Sequence, residues 1–214
     1  MAKEINQLIK AYMLKRDQIK RRLGEFKEVF DQSEERIFAE LAFCICTPQS
    51  KATAAWNSIT ALVKNDYLFS GSENVIRPFL NTVRFCENKS KYIVEARNFF
   101  TKNSKLQIKE RIKSFDNPFK LRDWLEENVR GFGMKESNHF MRNIGLGSDI
   151  AILDVHILKN LKEYGVIEEV PEVLTKKVYL EIESKMREFS KLVKIPMDEL
   201  DILLWSEETG MIFK

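Results

Sequence analysis

Glycine and proline are scarce in this chain. Its 214 residues include 8 glycines and 5 prolines, and glycine stands at about half its usual share of ~7%. That scarcity argues against turn-rich β-sandwiches and Rossmann-type folds and points to a mainly helical protein. Histidine occurs twice, as His139 and His156, which excludes a histidine-rich zinc site. Cysteine occurs three times, at Cys44, Cys46 and Cys86. An odd count without a framework argues against a disulfide scaffold. Cys44 and Cys46 fall in an apolar run from Leu41, where thiols are expected buried and free. No apolar stretch reaches the ~20 residues of a membrane span. The start, Met1-Ala2-Lys3-Glu4-Ile5-Asn6, lacks the apolar core of a signal peptide. The expectation is an intracellular protein with no membrane partner and no metal or cofactor site.

What the chain does have is charge and apolar periodicity. Apolar residues make up 44% and charged residues 31%, a balance that excludes wholesale disorder in a chain long enough to bury a core. The net charge of +3 hides an asymmetry. Residues 1–150 carry 26 basic and 19 acidic groups, a balance of +7, whereas residues 151–214 carry 9 and 13, a balance of −4. A basic face beside an acidic one is compatible with nucleic acid, and equally with an ordinary solvated surface.

Apolar residues from Ile5 to Phe30 recur every three or four positions and predict one long helix, or two if Gly24 interrupts it. A second helix is expected from a cap at Asp31 or Ser33 through Ile37, Leu41 and Ile45, broken by Thr47-Pro48-Gln49. Further helices are predicted over 52–63, 71–80, 89–102 and 104–115. Asn117-Pro118 opens another. Pro171 is expected to begin a long helix to about Lys191, and Pro196 a last one that Gly210 stops. The expected organisation is a single unit of two helical lobes over residues 1–214, with a junction near 115–118.

The stretch 121–143 carries the most chemistry. An amphipathic helix ends near Asn128, the turn Gly131-Phe132-Gly133 follows, and a second helix starts around Met134. Two glycines permit a tight turn, and amides at the second helix start can hold a phosphate. This is a helix-hairpin-helix pattern, although ordinary helical hairpins also use glycine. Lys135 falls in the first turn of the second helix, where the dipole disfavours a cation. It is a candidate nucleophile if a closed pocket desolvates it, and a plain phosphate or solvent contact otherwise. Four apolar residues, Ile150 to Leu153, lead to Asp154, and an apolar helix follows through Ile157, Leu158 and Leu161. Asp154 is therefore a strong helix cap. A carboxylate held in that way could also face positive charge developing on a sugar.

These residues resemble the archaeal-type family of 8-oxoguanine DNA glycosylase/lyases, within the helix-hairpin-helix glycosylase superfamily. Gly131 to Asn143 is similar to the family's hairpin signature and Ala151 to Ile157 to its catalytic aspartate segment. Thr47-Pro48-Gln49-Ser50, Val83-Arg84-Phe85 and the ending from Trp205 to Lys214 extend the likeness over most of the chain. The resemblance implies an all-α, two-lobed fold with an interlobe cleft and no iron–sulfur cluster. It implies excision of 8-oxoguanine through a lysine Schiff base, followed by β-elimination. Lys135 would then be the nucleophile and Asp154 the catalytic carboxylate. Gln49, Trp205 and Lys214 would bind the damaged base. Arg84, Phe85, Gly131, Gly133 and His156 would contact DNA, with Phe85 as a wedge into the vacated stack. The expected partner is double-stranded DNA containing 8-oxoguanine or an abasic site, bound by a monomer. The loop Gly145 to Asp149 is one residue longer than the family pattern. The alternatives are a glycosylase for another damaged base and a non-enzymatic helix-hairpin-helix DNA-binding protein.

Overall fold

The computed structural model describes residues 4–213. The helices are α1 (Ile5–Val29), α2 (Glu34–Cys46), α3 (Ala52–Lys64), α4 (Tyr67–Ser70), α5 (Glu73–Ile76), α6 (Cys86–Phe99), α7 (Ile108–Lys113), α8 (Pro118–Asn128), α9 (Met134–Asn143), α10 (Val155–Glu163), α11 (Lys176–Val193) and α12 (Met197–Thr209). A 3-10 turn, Arg77–Leu80, follows α5. Among the described residues the only strands are β1 (Thr101–Lys102) and β2 (Lys105–Leu106), an antiparallel pair. No described helix is long and apolar enough to cross a membrane, and no described group of three or more His, Cys, Asp or Glu side chains could hold a metal ion.

Local chemistry explains most boundaries. Ser33 caps α2 by accepting the Arg36 N–H at 3.2 Å, and Asn117 caps α8 through the Phe119 N–H at 2.8 Å, with Pro118 at the first helical position. Gly210 ends α12 in the left-handed conformation, at φ 72°. Gly24 leaves α1 unbroken, because packing outweighs a single glycine's ~1 kcal/mol propensity cost. Several expectations fail at boundaries. The helix expected over 89–102 ends at Phe99, before β1, and the one over 71–80 divides into α5 and the 3-10 turn. Residues 105–106 form β2 rather than part of a helix, since the backbone reverses through left-handed Asn103 and Ser104. Pro171 does not start α11, whose cap is Thr175, accepting from the Val178 N–H.

The core is in two parts. The first cluster gathers Val29 and the buried faces of α2 through α8, ending at Ile150. The second gathers α1, residues 151–167 and α11 to α12. The chain therefore exchanges clusters between Phe26 and Val29 and between Ile150 and Ala151. It does not do so at 115–118, where Phe115 and Leu121 pack on the same cluster. Helix α1 crosses back to join the C-terminal helices, as in the 2.6 Å bond that Tyr12 donates to Glu199. Helix α9 serves both parts, giving Met134 to the second cluster and Phe140 and Met141 to the first.

Candidate active site

A cleft of about 730 Å³ opens between the two clusters. It is lined by Gln49, Lys135, Asp154, His156 and Trp205 among others. Five of the residues singled out from the sequence thus meet on one cavity, although they span 157 positions in the chain.

The hairpin wall is built as its sequence suggests. Gly131 takes φ 90°, and a Cβ there would lie 2.7 Å from Tyr92 Cδ2. Both the backbone and the neighbouring ring therefore require glycine. Gly133 is different, since its φ of −120° is open to any residue. Its N–H donates to Glu136 Oε2 at 3.3 Å, so the α9 N-terminus already holds an anionic group. The other Glu136 oxygen pairs with Lys135 Nζ at 2.9 Å. Lys135 sits on the second residue of α9, half-buried at the cleft.

Asp154 is the cap of α10. Its Oδ1 accepts from the N–H groups of His156 and Ile157, each at 2.9 Å. Two amide donors and the helix dipole stabilise a carboxylate there. The preceding residues, Ala151 to Leu153, are buried and belong to no helix or strand. The Ala151 N–H donates to Glu183 Oε1 and the Ile152 N–H to Asp201 Oδ1, both at 3.0 Å. Asp201 Oδ2 also accepts from Arg142 at 3.1 Å. Burial pushes the Asp201 carboxyl up to about 7, against the pull of Arg142 and the Ile152 amide. Burial likewise lowers Arg142, and Asp201 partly offsets that.

The opposite wall carries Gln49 on a loop, and Arg84 and Phe85 adjoin that loop without lining the cleft. Gln49 and Phe85 both adopt left-handed backbone, with φ 54° and 58°. The Arg84 N–H donates to Ser50 Oγ at 3.0 Å, and the Arg84 guanidinium reaches Gln49 Oε1 at 3.5 Å. Phe85 is 57% exposed. A large apolar side chain that is both strained and left in solvent has no folding rationale. Lys89, in α6, anchors this wall from beneath. It is buried, and its Nζ donates to the carbonyls of Cys46 (2.9 Å) and Pro48 (2.6 Å) and to Ser50 Oγ (3.3 Å). Burial lowers the Lys89 ammonium, and the positive charge of Lys135 nearby adds to that.

Trp205 projects from α12 and meets the His156 ring edge-on at 6.5 Å between centroids. The tail beyond it is tied to α1 by the bond from Arg22 Nε to the Phe213 carbonyl at 3.3 Å. Lys214 lies outside the described residues. Sequence reasoning missed Lys89, Arg142 and Asp201, whose partners named above lie 39 to 59 positions away. The only available signal was a charged residue within an otherwise apolar helix face.

Comparison with known proteins fits this geometry. A family model described as 8-oxoguanine DNA glycosylase matches residues 19–195. A protein of Fusobacterium nucleatum named 8-oxoguanine DNA glycosylase/AP lyase is 47% identical over 210 residues, covering 98% of this chain and 97% of that one. The crystal structure of the 8-oxoguanine DNA glycosylase of Methanocaldococcus jannaschii superposes with a TM-score of 0.87 at 33% identity, covering 98% of this chain and 95% of that chain. The same archaeal protein in complex with a 15mer DNA containing 8-oxoguanine matches equally well, over 97% of this chain and all of that one. The Thermotoga maritima 8-oxoguanine DNA glycosylase gives a TM-score of 0.83 at 28% identity. With a hairpin lysine and a capping aspartate on one cleft, and a match over most of its length, the chain belongs to the 8-oxoguanine DNA glycosylase family.

Proposed function

We infer that this protein is a bifunctional DNA glycosylase and AP lyase that removes 8-oxoguanine and then cuts the strand. The observation that carries the reading is the joint placement of Lys135 and Asp154 on one cleft in a chain of this family. The target nucleotide leaves the duplex, because no cleft of this kind can reach a sugar inside the stack. Phe85 fills the vacated space, with Arg84 beside it. A phosphate at the hairpin replaces Glu136 on the Gly133 amide, and His156 contacts the strand near Asp154. Trp205 stacks on the extruded base, and Gln49 and Lys214 read its polar edge. Oxidation at C8 turns N7 from an acceptor into a donor, and a pocket built on that difference rejects guanine.

Lys135 Nζ gives one ammonium proton to the departing base, and the lone pair so freed attacks C1′. The glycosidic bond breaks, and its electrons leave with the base. Asp154 faces the positive charge that develops on the sugar and stabilises it without bonding to it. The aminal formed at C1′ opens to a protonated imine, with O4′ taking up a proton. That imine acidifies the C2′ hydrogen. Loss of this proton expels the 3′ phosphate, and water later releases Lys135.

Borohydride reduction on an 8-oxoguanine duplex tests the reading. The expected result is a stable protein–DNA adduct attached at Lys135. Excision without any trapped adduct would remove the lyase, and attachment elsewhere would remove Lys135. Binding with neither excision nor adduct would leave a DNA-binding module.

A further inference from the structure

The residues that carry Asp154 into the cleft have no strand beside them. Ala151, Ile152 and Leu153 are buried outside any helix or strand, and buried backbone groups there need partners. The Ile152 carbonyl takes the Asp154 N–H at 2.7 Å, and side chains serve the three N–H groups. Two N–H groups go to Glu183 and Asp201, as described above. The third, of Leu153, donates to the Tyr179 hydroxyl at 3.2 Å, and that hydroxyl donates its own proton to the Ala151 carbonyl at 2.6 Å. One oxygen thus clasps both ends of the segment. The same hydroxyl accepts from Asn138 Nδ2 at 3.2 Å, and Asn138 also donates to the Ala151 carbonyl at 2.7 Å. Asn138 lies on α9 three residues beyond Lys135, on the same side of that helix. Tyr179 is 2% exposed and is not among the residues lining the cleft.

We propose that Tyr179 is a positioning residue, whose hydroxyl fixes the Asp154 segment against the helix that carries Lys135. It touches neither substrate nor the reacting atoms. Its effect passes entirely through Asp154, so the proposal rests on the catalytic role assigned to that residue above. Misplacement of a reacting group by about 1 Å can cost on the order of 100-fold in rate. Phenylalanine at 179 keeps the ring packed and removes only the clasp.

The test is a double-mutant cycle of Tyr179→Phe and Asp154→Asn, read by single-turnover excision of 8-oxoguanine and by affinity for the same duplex. Tyr179→Phe is expected to slow excision about 10- to 100-fold, at a temperature where the variant is fully folded, with duplex affinity unchanged. In the Asp154→Asn background the same change is expected to cost less than about twofold, since residues that act as a unit are not additive. Full additivity, or a wild-type excision rate with only a lowered melting temperature, would overturn the proposal. An unimpaired Asp154→Asn single variant would remove the role of Asp154 itself, and the proposal with it, before Tyr179 is considered. Should Tyr179→Phe not fold, Asn138→Ala removes the bonds that tie the Tyr179 hydroxyl and the Ala151 carbonyl to α9 and is judged by the same cycle.

Discussion

The two walls of the cleft are made in opposite ways. On one side Lys135 and Asp154 occupy helix starts, where the backbone is regular and every turn beneath them is packed or hydrogen-bonded. On the other side Gln49 rides on a loop, with Arg84 and Phe85 on an adjoining one outside the lining of the cleft. Two of these residues hold left-handed backbone, at a cost of roughly 1–2 kcal/mol each. The contrast matches the work proposed for each. A group that must meet one carbon atom needs a rigid seat. A group that enters a base stack must stand out in solvent until DNA arrives, and the surrounding fold has to sustain its strain.

The largest expected effect lies on the rigid wall. Lys135→Gln removes the amine and should abolish both excision and the borohydride-trapped adduct. Affinity for the lesion duplex should stay within about twofold, because the hairpin backbone supplies the phosphate contact. Residual excision near the wild-type rate would show that the wall presents some other nucleophile.

The loop wall should respond with a smaller and opposite pairing of effects. Phe85→Gly relieves the left-handed strain and should stabilise the protein by about 0.5–1 kcal/mol, read as a raised melting temperature. Excision from a duplex should nevertheless fall about tenfold, as expected if the ring contributes ~1–3 kcal/mol of stacking. A variant more stable and equally active would mean that the exposed ring serves neither folding nor DNA.

Sequence periodicity sufficed for the helices that sit in a cap-to-glycine frame. Ser33, Asn117 and Asp154 were legible as caps because a short polar side chain precedes an apolar run. The hairpin was legible because Gly131-Phe132-Gly133 stands directly between two amphipathic helices. The β1–β2 turn was not, since Asn103-Ser104 lacks the glycine that usually marks such a turn. The lobe exchange was not legible either. It depends on α1 packing with α12, 187 residues away at the Tyr12–Glu199 bond, and no local pattern records that. Of the site, the residues that face the cleft showed themselves by type, whereas those that hold them did not. Lys89, Tyr179 and Asp201 read as an ordinary charge, a core aromatic and a solvated acid until the chain brings their partners to them.

A further expected effect, on stability alone, lies beneath the rigid wall, at Asp201. Its carboxyl is raised to about 7 in the fold from 3.8, with Arg142, Asp154, Asp198 and the Tyr179 hydroxyl around it. Between those values the folded protein keeps a proton that the unfolded chain has released. This site's contribution is therefore complete below about pH 4 and is lost as pH rises toward 7. Asp201→Asn cannot titrate. The wild-type melting temperature should decline relative to that of the variant across this window and run parallel above it. A constant difference from pH 4 to 8 would show that Arg142 keeps Asp201 ionised throughout.

One helix connects the proposed wedge, the Gln49 loop and the hairpin. Phe85 stands at the start of α6, Lys89 one turn further on holds the Gln49 loop, and Tyr92 supports Gly131 of the hairpin. From Phe85 to Tyr92 is seven residues, roughly 10 Å of helix axis. One strand advances about 3.4 Å per nucleotide, so this span equals about three base steps. If Phe85 enters the stack and the hairpin holds a phosphate as proposed, helix α6 would set the spacing between the two. A single inserted residue within it would lengthen that spacing by only about 1.5 Å. It would also turn Tyr92 away from the hairpin, so the two grips would no longer fall in register on one strand.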